Sequence, residues 1–200
     1  MFKKKKHKFF YISMRGRAAY LILCLEEALK YYDNNNLKRW KWLLNELWKI
    51  TSTWDIDGWI GRVTEATYDS IMEFNTYQER IEHDKSITFT CCSCDLSEEE
   101  FVYLHELYSE NQPFFPVIFA LCDKIIDVIA LNAGDPATGC CTPYSPFCLP
   151  LIDEAEGILV EHGIPFPQNI DAISYIMKHK DRYYGPTFDG HKFSILSDGF

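Results

Sequence analysis

The sequence predicts an all-α fold: a single-domain bundle of about seven helices around a buried central helix at 116–131, with irregular loops and a C-terminal tail. Three observations carry this. Of the fifteen residues from Val117 to Leu131, only Asp123, Lys124 and Asp127 are polar, and at 100° per residue these fall in one narrow stripe. Most of the remaining chain repeats apolar residues at i, i+3 and i+4 between capping and turn signals. The one alternating run, Ser86 to Cys91, is six residues long and reads as a loop. A helix greasy on nearly every side is either buried or in a membrane. A membrane span needs about 20 apolar residues without charges, so the window at 117–131 is read as the core helix of a soluble bundle.

The elements follow in order. Helix one runs from about Arg17 to Tyr32, with Ala18, Ile22, Leu25, Leu29 and Tyr32 on one face. Asp33-Asn-Asn-Asn36 is a turn. Helix two, Leu37 to about Ile50, aligns Leu37, Trp40, Leu44, Leu47 and Trp48, and the short loop makes the pair an antiparallel hairpin. Thr51 to Gly58 is a polar connection, with Asp57 placed to cap helix three. That helix starts near Trp59 and keeps its period through Ile60, Val63, Thr67, Ile71, Phe74 and Ile81 to about His83. Ser97-Glu-Glu-Glu100 is a capping box, so helix four runs to about Glu110 and buries Phe101, Leu104 and Tyr108. Pro116 suits the first turn of the central helix, and Asn132-Ala-Gly134-Asp-Pro136 stops it. Asp135 to Phe147 is turn-rich. Helices at about Pro150–His162 and Asn169–His179 precede a glycine- and aromatic-rich tail that is irregular but packed.

Charge narrows the function classes. Residues 1–13 hold five lysines and no acid, and read as a basic flexible leader to a domain at 14–200; the start lies at Met1 or at Met14. Phe9 to Ile12 is too short for a signal-peptide core, so a cytoplasmic protein without a membrane segment is expected. Residues 14–200 carry 15 of the 20 basic side chains and all 29 acidic ones, a balance of −14 against −9 for the whole chain. An acidic body repels phosphate backbones, which argues against nucleic-acid binding, and speeds encounter with basic proteins.

Catalytic and metal signatures are weak. Phosphate-binding glycine loops, the nucleophile elbow and the zinc-protease motif are all missing. Cys24 and Cys122 sit in apolar helical windows, whereas Cys91, Cys92, Cys94, Cys140, Cys141 and Cys148 form two loop clusters. Their gaps depart from zinc-knuckle spacing, and reduced thiols are expected, with a shared zinc site or a disulfide as the alternatives. His83-Asp84 is the adjacent pair used by some metal-dependent phosphohydrolases, but the only upstream histidine is His7, so a solvated helix end is the better reading. Asp123 and Asp127, four apart, would be the carboxylates of a metal-dependent hydrolase; otherwise they are the exposed edge of the central helix. Glu26-Glu27, Glu154 and Glu156 are read as solvated.

The most suggestive pattern is aromatic residues among carboxylates. Trp54, Asp55, Asp57 and Trp59 lie in one stretch, and Asp95, Glu98, Glu99, Glu100 and Glu106 gather around the start of helix four. Rings supply anchors and carboxylates pair with Lys and Arg, so Trp54, Asp55, Asp57, Trp59, Asp95, Glu98, Glu99 and Glu106 are the expected contacts to a basic protein partner.

Met14-Arg-Gly-Arg-Ala-Ala-Tyr20 leading into a helix, with Trp54-Asp-Ile-Asp57 after a tryptophan-rich second helix, resembles the immunity proteins of bacterial polymorphic-toxin systems. The resemblance covers mainly the first third of the chain. It implies a small, acidic, helical cytoplasmic protein that binds and neutralises a cognate toxin domain, often a nuclease, by occlusion. It implies no catalytic residue, metal or cofactor. The rival readings are a helical metal-dependent hydrolase and a helical adaptor.

Overall fold

A computed structural model describes residues 8–10, 12–86, 96–133, 148–168 and 184–196. Among them every regular element is a helix, as expected. The α-helices are α1 (Met14–Asp33), α2 (Lys41–Trp48), α3 (Ile56–Glu65), α4 (Tyr68–Met72), α5 (Tyr77–Ser86), α6 (Glu98–Ser109), α7 (Phe115–Ala133) and α8 (Leu149–Glu161). Short 3-10 segments fill Asn34–Trp40, Lys49–Thr51 and Gly190–Phe193. The helix expected at Asn169–His179 lies outside the described residues.

The expected central helix is α7, and it shares the centre with α1. These two make the largest helix–helix contact in the fold. Ile118, Leu121, Ile125, Val128 and Ile129 of α7 are buried, as are Ala18 to Leu25 of α1 without interruption. The apolar stripe of α7 stops before its end, where Leu131 is 54% exposed. Asp123 and Asp127 are on its outer edge and Lys124 reaches Glu154 of α8 at 2.5 Å.

Helix α1 begins at Met14 rather than Arg17, because Ser13 caps it by accepting the Gly16 N–H. The chain before it is not simply a leader. Phe9 and Ile12 are buried, Phe9 packs on Tyr20 at 4.4 Å between ring centres, and Lys8 pairs with Glu156 at 2.6 Å. The packed part of the chain therefore begins before residue 14.

The long third helix is three helices. Each break carries polar capping chemistry that an apolar period does not register. Asp55, not Asp57, caps α3 by accepting the Gly58 N–H at 2.9 Å, and a side chain at Gly58 would collide with that carboxylate. Thr67 stands between α3 and α4, its hydroxyl on the Thr64 carbonyl at 2.7 Å. At α5, Thr76 accepts from Glu79 N at 3.2 Å while Glu79 accepts from Asn75 N at 2.9 Å. The expected turn at Asp33–Asn36 is the start of a 3-10 segment kinked at Asn36, pinned where Asp33 accepts from Asn36, Arg39 and Trp40. The capping box at α6 is present: Ser97 Oγ accepts Glu100 N at 3.2 Å and Glu100 accepts Ser97 N at 2.9 Å.

Cys24 and Cys122 are buried among apolar side chains, and burial pushes both thiols up. Cys148, expected in a loop, is buried at the start of α8, its Sγ donating to the Val128 carbonyl at 3.5 Å. The other five loop cysteines lie outside the described residues. No helix among the described residues is long and apolar enough to cross a membrane.

Candidate protein-docking face

Three tryptophans pair with acidic side chains of the same molecule, and a fourth with a backbone carbonyl. Trp40 donates its indole N–H to Asp33 at 2.7 Å, Trp42 to Glu100 at 3.0 Å and Trp48 to Glu26 at 2.7 Å. Trp59 donates to the Glu46 carbonyl at 2.8 Å. An indole buried with an unmet donor costs free energy, so an inward tryptophan needs an acceptor nearby. Four of the five tryptophans in the chain are spent this way.

That corrects three expectations. Trp59 is only 5% exposed, packed with Ile56 and Val63 in the core, and offers no ring to a partner. Glu26 is fully buried rather than solvated. It accepts from Trp48, from Ser194 Oγ at 2.7 Å and from Ile195 N at 2.8 Å, yet burial outweighs these donors and pushes its carboxyl up. Glu156 is likewise engaged, accepting from the Tyr20 hydroxyl at 2.7 Å.

What remains outside is narrower. Trp54 is 78% exposed, and Asp55 and Asp57 beside it are exposed. The Trp54 ring lies over the Arg15 guanidinium at 5.8 Å. On α6, Glu98, Glu99 and Glu106 line one open depression together with Val102 and Tyr103. Trp54, Asp55 and Asp57 do not line it, and Asp95 lies outside the described residues.

The sequence reading leaves out Val102 and Tyr103, which are 43% and 37% exposed. The signal was present, since positions 98, 99, 102, 103 and 106 form one helical stripe. The stripe is tied to the rest of the fold from behind. Tyr103 donates its hydroxyl to the Arg39 carbonyl at 2.5 Å, fixing its ring. Behind it Glu100 binds Arg62 at 2.6 Å, and Arg62 also pairs with Glu46 at 3.1 Å and stacks on Trp42 at 5.4 Å. Burial raises the Glu100 carboxyl, but the donors from Ser97, Trp42 and Arg62 outweigh it and hold it below the usual carboxylate range. Glu100 thus anchors α6 while its neighbours face solvent. Among the described residues Glu98, Glu99 and Glu106 take part in no ion pair. Three acids in the first turn also complement the positive end of the helix dipole.

The carboxylates weighed for catalysis are arranged differently. Asp123 sits at the rim of a small apolar recess lined by Leu43, Leu47, Tyr68, Tyr108 and Phe119. Its carboxyl is pushed up by burial and by the charges of Asp127 and Asp69. His83 faces Asp84 at 3.8 Å on an exposed turn of α5. No group of three or more metal-ligating side chains is found among the described residues. No family model, curated protein or solved structure matches this chain.

Proposed function

We propose that this protein is an immunity protein that binds a cognate bacterial toxin domain, possessing a basic surface, and neutralises it by covering its active cleft. The observation that carries the reading is the α6 stripe: Glu98, Glu99 and Glu106 flank exposed Val102 and Tyr103 in one depression. An aromatic and an aliphatic surface supply contact area, and the carboxylates around them select Lys and Arg. A nuclease toxin has a basic cleft for its phosphate substrate, so an acidic helix competes for it and is steered towards it over long range. Trp54 offers a second anchor, as an exposed large ring of the kind that dominates interface energetics. In this reading the protein works in the cytoplasm, uses no cofactor and binds no nucleic acid.

The test pairs capture with neutralisation. The full chain and its E98K/E99K/E106K variant are used as bait in the native host, and the captured toxin domain is assayed for activity with each. The wild-type chain should capture a basic toxin domain and abolish its activity. The triple variant should lose both while staying folded, its stability lowered only by the dipole contribution of Glu98 and Glu99, about 0.3–1 kcal/mol for each first-turn charge removed, since none of the three side chains takes part in an ion pair among the described residues. Equal neutralisation by the variant would remove the α6 stripe as the binding surface.

A further inference from the structure

The segment 184–196 crosses the outside of α1 and the Lys49–Thr51 turn. At its near end Arg15 N donates to the Tyr184 carbonyl at 3.1 Å and Arg15 Nε to the Gly185 carbonyl at 3.2 Å. In its middle Phe188 N donates to the Thr51 carbonyl at 2.8 Å and Gly190 N to Thr51 Oγ1 at 3.1 Å. At its far end Ser194 Oγ and Ile195 N both donate to Glu26, at 2.7 and 2.8 Å. Two positions admit only glycine. Gly185 has a φ of +84° and a side chain there would strike Ser13, and one at Gly190 would strike Trp48 and Thr51.

Its apolar attachment is thin by comparison. Tyr184, Phe188, Phe193 and Ile195 rest half-buried on the core, and Asp189, His191 and Lys192 face solvent; Leu196 is its one buried large apolar side chain. Helix α1 beneath it is buried along almost its whole length. Segments with little buried apolar surface open at lower free energy than the core they lie on.

We propose that residues 184–196 form a strap that opens as one unit while the helices stay folded, with Glu26 as its latch. Two of the carboxylate's three donors belong to the strap and the third, Trp48, belongs to the core, so opening exchanges two protein donors for water and leaves the indole bond in place. The uncovered seat presents the Arg15 N–H groups, the Thr51 oxygens and the Glu26 carboxylate in a row. Donors at one end of this row and acceptors at its middle and far end match the strap, which offers carbonyls at Tyr184 and Gly185 and donors at Phe188, Gly190, Ser194 and Ile195. Arg15 also lies beneath the exposed Trp54, so the strap and the Trp54 loop share one anchor.

Hydrogen exchange on the full chain, read residue by residue, tests this. In the wild type the amides of Phe188, Gly190 and Ile195 should exchange faster than those at Ile118 to Ile129 of α7. Ser194→Ala removes one latch donor from a half-exposed site and should speed strap exchange about tenfold, with the strap still exchanging ahead of α7. Glu26→Gln should also speed strap exchange, and it disturbs the core bond from Trp48 as well. If Glu26→Gln does not fold, Ser194→Ala decides alone. Exchange of the strap in step with α7, in the wild type or in Ser194→Ala, would show that the strap opens only by global unfolding and would overturn the proposal.

Discussion

Trp48 of α2 donates its indole N–H to the fully buried carboxylate of Glu26 at 2.7 Å, bringing a charge-capable group of α1 into the core. A buried acid is tolerable only where its oxygens are met, and the loss of one donor leaves a desolvated lone pair. Trp48→Phe keeps most of the ring volume and removes the donor. It should destabilise the protein by about 1.5–3 kcal/mol. Trp54→Phe should shift stability by no more than about 0.5 kcal/mol, because its ring faces water. Urea unfolding of the two variants checks the pair, and equal midpoints would mean that the Glu26 bond contributes nothing.

What was legible in the sequence was local. The α7 stripe and the α6 capping box are written in residues three or four apart and fold as those spacings require, whereas the helix expected at Leu37–Ile50 is α only over Lys41–Trp48, with 3-10 segments on either side, and α1 is buried on more than its expected face. Glu26 was not legible. An acidic pair on an amphipathic helix looks like an outer face, and its partners lie at Trp48, Ser194 and Ile195, the last two 168 and 169 positions away. The aromatic and acidic pattern was misleading for the same reason. Trp40 with Asp33 and Trp42 with Glu100 are internal pairs, and composition does not separate them from Trp54 and Glu98, which are not. Thr76-Tyr-Gln-Glu79 was a readable capping signal that the apolar period from Ile71 to Ile81 concealed.

Asp55 is both an exposed acid next to Trp54 and the cap of α3. Asp55→Ala should therefore cost about 1 kcal/mol of stability, typical for removing an N-terminal cap. Asp57→Ala removes an exposed first-turn charge that accepts no backbone hydrogen bond and should cost about 0.3–1 kcal/mol through the helix dipole alone. Thermal melts rank the two. A larger loss at Asp57 would reassign the cap, and Asp57 is the safer position for a charge reversal meant to probe binding.

The α7 helix should respond to truncation along its length as its burial does. Ile118 is fully buried between α1 and its neighbours, so Ile118→Ala should cost about 2–5 kcal/mol. Leu131→Ala, at a half-exposed position, should stay within about 0.5 kcal/mol. Chemical denaturation separates these outcomes, and a large loss at Leu131 would place a covering segment over the end of α7.

Asp123 gives the pH dependence its sign. Burial pushes its carboxyl up first, the charges of Asp127 and Asp69 add to this, and Lys124 opposes them without reversing the shift. A carboxyl raised in the folded state holds its proton more tightly there than in the unfolded chain. Its contribution to stability is full below the unfolded value and is lost as pH rises through the folded one. At neutral pH Asp123 is thus a charge the fold would rather not carry. Asp123→Asn removes that charge, so the variant should melt higher than the wild type at pH 7, with the gap closing as pH falls through the acidic range and Asp123 takes up its proton. Melting curves of both proteins between pH 3 and 7 supply the comparison. The reverse order at pH 7 would mean that the Asp123 charge is paired, with Lys124 as the first residue to substitute, since it faces both Asp123 and Glu154.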